Sequence, residues 1–160
     1  MKETRFKISA YGLIRREGQI LLVRYVDPQT GRKWWTLPGG KLEHGEDPVD
    51  AVVREIHEET GYDASVKTLL GVGSRVNDVD WGIPGGAELH AVGVYYIVDI
   101  VGGTLVNEDD GSTDEARWLP EEDVVDLDRA VVVDIALDLE RRRPADGRPV
   151  SVAVVDRLRH

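Results

Sequence analysis

The sequence predicts one α/β domain, and three observations predict it. Runs rich in β-branched and aromatic residues fill most of the first two thirds. A helix between residues 47 and 61 carries its own start and stop signals, and helical patterning returns near the end. At 160 residues with 41% apolar side chains, the chain suits a single globular domain with a sizeable core, spanning 1–160. No repeat, low-complexity tract or second domain interrupts it.

Taken in order, "FKISAYGLI" and "QILLVRYV" read as strands, with the Glu17-Gly18 turn between them predicting a hairpin. A polar loop, "DPQTGRK", leads to "WWTLPGGKLEHGED", where Pro38-Gly39-Gly40 forces a bend. Asp47 is placed to cap the following helix, Pro48 suits its first position, Asp50 lies three residues after the cap, and Gly61 supplies the stop. Val49, Val52, Val53 and Ile56 follow the spacing of a buried stripe. "ASVKTLLGVGSRV" and "ELHAVGVYYIVDI" are further strands. The loop "NDVDWGIPGGA" between them, with Trp81, reads as a mobile or ligand-covering segment. "TDEARWLP" is a short strand, and "PEEDVVDL" and "DRAVVVDIALDLERRR" are helical, the basic end suiting a helix C-terminus better than a nucleic-acid patch. Residues 149–158, "PVSVAVVDRL", form either an added edge strand or a homodimer contact.

Composition excludes several chemistries. With no cysteine there is no disulfide, thiolate zinc site or thiol nucleophile. His44, His57, His90 and His160 lack metal-ligand spacing, so a bound metal must rest on oxygen, which favours Mg²⁺ or Mn²⁺. A formal charge of −10 argues against a sequence-independent grip on DNA or RNA. No apolar run is long enough to span a membrane, and "MKETRFKIS" lacks a secretory apolar stretch, so the expected compartment is the cytoplasm.

The chemistry concentrates in "REIHEETGY", residues 54–62. On a helical wheel counted from Val49, the apolar stripe spans roughly 300° to 40°, and Glu58, Glu55 and Glu59 fall near 180°, 240° and 280°. The glutamates therefore border the core instead of occupying the most exposed face. Taken alone, such a run reads as a solvated, salt-bridged surface. Arg54, four residues before Glu58, cannot neutralise all three carboxylates, whereas a divalent cation can. The preceding Gly39-Gly40 leaves backbone accessible, and Glu43 and Glu46 add acids to the loop, so metal and phosphate have a plausible seat.

Gly40, Glu46 and Arg54-Glu55-Ile56-His57-Glu58-Glu59-Thr60-Gly61-Tyr62 resemble the signature of the Nudix hydrolases. The fixed positions all match, a coincidence expected less than about once in a million sequences at average residue usage. Tyr62 at the final apolar place is a mild departure that bears on packing. "WTLPGG" is also similar to the family, and the layout resembles it over roughly residues 5 to 142. The resemblance implies an α/β/α sandwich around a mixed sheet. It also implies Mg²⁺-dependent hydrolysis of a nucleoside diphosphate linked to another group, by attack of water on phosphorus.

By that resemblance Glu55, Glu58 and Glu59 take the metal positions, with the Gly39 carbonyl as a further ligand. One glutamate or a downstream acid serves as general base, and Arg54 orients the carboxylates. Gly40, Glu46 and Gly61 are structural. Glu108 and Glu115 are the two candidates for the downstream acid. Arg24 is read as either a phosphate contact or a surface arginine, and Trp35 as either a base-stacking ring or a core one. His90 reads as a half-buried strand residue, and His44 has no assigned role. The expected ligand is a small nucleotide: a nucleoside triphosphate, a nucleotide sugar or a substrate of ADP-ribose type. A non-catalytic nucleotide sensor and an RNA 5′-end pyrophosphohydrolase are the alternatives.

Overall fold

Eleven consecutive residues with strand character, Glu3–Leu13, form β1 in a computed structural model that describes residues 2–150 and 158–159. The chain continues through β2 (Arg15–Arg16), β3 (Gln19–Val26), β4 (Lys33–Thr36) and β5 (Gly39–Lys41) into helix α1 (Pro48–Thr60). Two long strands follow, β6 (Tyr62–Val79) and β7 (Ala87–Gly103), then β8 (Thr113–Pro120) and a 3-10 turn over Glu121–Asp126. The described chain ends with β9 (Arg129–Ala130), α2 (Val131–Arg142) and β10 (Leu158–Arg159).

The strands make two sheets. The first has the order β5-β1-β7-β6, with β1 and β7 parallel and the other pairs antiparallel. The second runs β10-β9-β4-β3-β2, with β8 on the other side of β3. Alternation along the strands feeds two cores. Ile20 and Leu22 of β3 and Tyr95 of β7 pack with Val132, Val133 and Leu139 of α2. Leu21, Val94, Tyr96 and Val98 pack with Val52 and Ile56 of α1. A helix thus lies against each outer side of the paired sheets, the α/β layering that the sequence predicts.

Two expectations are corrected. The Glu17-Gly18 turn exists, with both residues at positive φ, but it joins β2 to β3. The run containing β1 leaves for the other sheet, because adjacent Leu13 and Ile14 are both buried and enter different cores. The loop after β6 is shorter than predicted, since Asn77, Asp78 and Val79 pair with Leu89, Glu88 and Ala87.

The helix signals hold. Asp47 accepts a hydrogen bond from the Val49 amide at 3.0 Å, and Gly61 closes α1 in a left-handed conformation with its N–H donating to the His57 carbonyl. The buried face is rotated from the predicted stripe, however. Val49 is exposed, while Ala51, Val52, Ile56, Glu59 and Thr60 are buried. This arc is centred about 60° round the wheel towards the glutamates, which puts Glu59 near its middle.

At the C-terminal end, the Gly147 carbonyl accepts from the Val72 amide at 2.9 Å and Pro149 lies over Gly73. The expected edge strand or dimer contact at 149–158 falls largely outside the described residues, and Leu158–Arg159 pairs in parallel with Arg129–Ala130. Among the described residues, no helix is long and apolar enough to cross a membrane.

Candidate active site

Arg54 organises the acidic loop and helix. Its guanidinium takes both oxygens of Glu46, at 2.8 and 2.9 Å, and reaches Glu55 at 3.0 Å, Glu58 at 3.2 Å and the Lys41 carbonyl at 3.2 Å. Glu46 also accepts from the Glu43 amide, and these bonds, Arg54 first, hold its carboxyl at about 2. Arg54 is thus an orienting hub and Glu46 the brace that fixes the loop to the helix. A lysine keeps the charge but not the planar fork. Arg54→Lys is expected to lower kcat by roughly 10- to 100-fold, measured with whichever nucleotide is turned over.

Glu59 is 4% exposed. One of its oxygens accepts from the Gly39 amide at 2.9 Å. Burial pushes its carboxyl well above the usual range, and Glu55, Glu108 and Glu58 push it further against the Gly39 bond. Glu55 is raised too, by burial first, with Arg54 opposing and Glu58 and Glu108 adding to the shift. Four acids therefore feel one another here, and Arg54 answers only part of their charge. A buried carboxylate with one hydrogen bond and no cation is a costly arrangement unless a counter-ion binds.

The neighbouring glycines make room for it. A side chain on Gly40 would put Cβ 2.7 Å from the Glu55 carboxyl, and one on Gly39, at φ 144°, would put it 2.1 Å from the Ala10 carbonyl. Among the described residues no three acids stand as a ready coordination cluster: Glu58 turns to Arg54 and Glu59 to the Gly39 amide. The donor set is nevertheless all oxygen and densely acidic, which fits a hard divalent cation.

Of the two downstream candidates, only Glu108 is near. It accepts from the Thr113 hydroxyl at 2.6 Å and influences both Glu55 and Glu59. Glu115 instead pairs with Arg24 at 3.2 Å and with Arg117. The cause is a bulge in β8. Thr113 pairs with Tyr25 and Glu115 with Arg24, leaving Asp114 as the extra residue. The bulge turns Glu115 to the opposite face.

The same alternation decides which members of β3 and β4 face the cleft. Arg24 and Trp35 are paired on β3 and β4, and their side chains meet with 5.7 Å from guanidinium to ring, off the cleft. The next pair, Tyr25 and Trp34, lines the cleft, with ring centroids 4.9 Å apart. That cleft encloses about 550 Å³, and Gly39, Glu55, Glu59 and Trp81 also line it. Of the adjacent pair, Trp34 lines the cleft and Trp35 does not.

Asp114 holds Arg24 at 2.8 and 3.1 Å and Lys33 at 2.6 Å. Arg24 chiefly, with Lys33, lowers its carboxyl from 3.8 to about 2. Because the folded value is the lower one, this stabilisation is complete above about pH 4 and is lost as pH falls towards 2. Asp114→Asn should therefore cost about 1 kcal/mol near neutrality, discounted for exposure. In thermal melts the gap from wild type should close on acidification.

Residues 4–136 match the family described as NUDIX domain. An "ADP-ribose pyrophosphatase" of Methanocaldococcus jannaschii is 41% identical over 109 residues, 68% of this chain and 59% of that protein. The chain thus spans less than two thirds of that relative's length. The solved MutT NUDIX hydrolase of Burkholderia pseudomallei aligns with a TM-score of 0.54 and 30% identity over 72% of this chain and 84% of that one. A NUDIX hydrolase structure from Nitrosomonas europaea shares the fold over 96% of this chain and 99% of its own, at TM-score 0.66 and 18% identity. With a family match covering most of its length, and Glu55 and Glu59 of the signature lining one cleft, the chain belongs to the Nudix family.

Proposed function

We propose that this domain hydrolyses a pyrophosphate bond in a nucleoside diphosphate linked to another group, using Mg²⁺ or Mn²⁺. The carrying observation is Glu59: a buried carboxylate, repelled by Glu55, Glu58 and Glu108, at an aromatic-walled cleft. Glu55, Glu58, Glu59, Glu108 and the Gly39 carbonyl would hold the ion. When bound, the ion neutralises phosphate charge and makes a water more acidic.

The chain's own residues supply the positioning. Arg54 fixes the direction of Glu55 and Glu58, and the Gly39 amide fixes Glu59. Tyr25 and Trp34 line the cleft and supply aromatic rings for a base to stack on. A carboxylate raised by burial is suited to accept a proton from water near neutral pH. The name borne by the Methanocaldococcus jannaschii relative supports the ADP-ribose type of substrate, alongside nucleoside triphosphates and nucleotide sugars.

The test is a panel of nucleoside triphosphates, nucleotide sugars, ADP-ribose, NADH and dinucleoside polyphosphates, with products resolved by chromatography. At least one should be turned over with Mg²⁺ and none after chelation. Nucleotide binding without turnover in either metal would overturn the hydrolase reading in favour of a sensor.

A further inference from the structure

The cleft-facing side of the first sheet presents its residues in rows fixed by strand register. Lys7 of β1, Ala91 of β7 and Arg75 of β6 pair in one row. The next row holds Ser9, Gly93 and Gly73. Gly93 lies under the Tyr95 ring and Gly73 under Pro149, so the open part of the face is the first row, where two cations flank Ala91. Lys7, Ala91 and Arg75 all line the cleft that contains Glu55 and Glu59. Neighbouring strands lie ~4.8 Å apart, so the Lys7 and Arg75 backbones are about 10 Å from each other across Ala91.

These cations differ from the arginines that pair within the fold. Arg15, Arg24, Arg54 and Arg129 are each bonded to carboxylates. Arg75 instead donates to the neutral Tyr95 hydroxyl at 3.4 Å, and among the described residues no carboxylate pairs with it or with Lys7. Two buried side-chain polar atoms lack a hydrogen-bond partner among the described residues, Arg75 Nε and Ser9 Oγ, and both residues belong to these rows. A guanidinium only donates, as does an ammonium, and a hydroxyl can. A group that answered them would have to accept hydrogen bonds, and an anion would also answer the charge of Lys7 and Arg75.

We propose that Lys7 and Arg75 form an anion subsite above Ala91, for a phosphate or carboxylate that the substrate carries beyond its pyrophosphate. The subsite is separate from the metal end. Gly39 and Gly40, beside Glu59 and Glu55, belong to β5, and β7, which carries Ala91, is two strands away, about 10 Å, with Arg75 one strand further. That span exceeds a pyrophosphate, so the group reaching Arg75 is a further one. The assignment of substrate class rests on the hydrolase reading, whereas the anion site itself does not.

Two measurements on the full chain separate them. In chelator, inorganic phosphate titrated by calorimetry should bind wild type and Glu59→Gln, and bind Arg75→Gln and Lys7→Gln about tenfold more weakly. Arg75→Lys should recover part of the loss. With Mg²⁺, matched pairs differing by one anionic group should be compared: UDP-glucuronate with UDP-glucose, and NADPH with NADH. Wild type should favour the charged member of one pair by about tenfold, chiefly through KM, and Arg75→Gln should erase the preference. The pair that responds distinguishes a sugar carboxylate from a ribose phosphate.

No phosphate binding by wild type, unchanged binding in both variants, or a charge preference that survives Arg75→Gln would overturn the subsite. Phosphate binding that depends on Lys7 and Arg75, without turnover of any nucleotide, would uphold it while the hydrolase reading fails.

Discussion

Glu59→Gln is expected to lower turnover by on the order of a thousandfold or more while the fold is kept. The amide is nearly isosteric and retains an oxygen for the Gly39 N–H, so what disappears is the charge. Stability should move the other way. The Glu59 carboxyl is raised, so the folded state favours its protonated form, and stability is lost as pH rises beyond the ordinary carboxylate value of 4.5. Without metal at pH 8, Glu59→Gln should therefore melt higher than wild type, by ~1–3 kcal/mol in stability. Near pH 4 the two should converge. Mg²⁺ should raise the wild-type melting temperature and leave the variant's nearly unchanged. A Glu59→Gln protein as active as wild type would remove the metal assignment.

Gly39→Ala should fail more completely. The residue sits at φ 144°, and an added Cβ would stand 2.1 Å from the Ala10 carbonyl and 2.8 Å from Tyr11 Cα. Both obstacles are backbone atoms of β1, paired in register with β5, so neither can swing aside. Backbone strain and displacement of the strand together should cost at least ~3 kcal/mol. The Gly39 amide would also leave Glu59, so any folded fraction should be inactive. Circular dichroism melts and an activity assay check both, and wild-type values in either would contradict the geometry. Gly40→Ala is milder by comparison, since its Cβ would meet the Glu55 carboxyl, a side-chain end that can move.

The helix carrying the acids was readable because its signals are local: the Asp47 cap, Pro48, and the Gly61 stop all act within one turn. The signature spacing named the acids for the same reason. What escaped was set by distant partners. Val49 fits the apolar stripe by period, yet nothing in the sequence says that the sheet covers an arc about 60° further round and buries Glu59. Period two says that Trp34 and Trp35 face opposite ways, but only the pairing of β3 with β4 says which faces the cleft. Arg75 gave no sequence signal at all. Its significance lies in having no paired carboxylate among the described residues, in a row that spans three strands, which no local window contains.

The bulge at Asp114 has a consequence for how this chain can change length. Side chains alternate along β8 until the extra residue resets them, so the count between Glu108 and the paired core of β8 decides which residues point at the metal end. Removing Asp114 alone would leave a regular ladder, with Thr113, which holds Glu108, still opposite Tyr25 and Glu115 still opposite Arg24. Losing Glu115 as well would set Thr113 opposite Arg24 and turn it from Glu108. The strand therefore gives up one residue at the bulge and no more, a constraint on arithmetic instead of on residue identity.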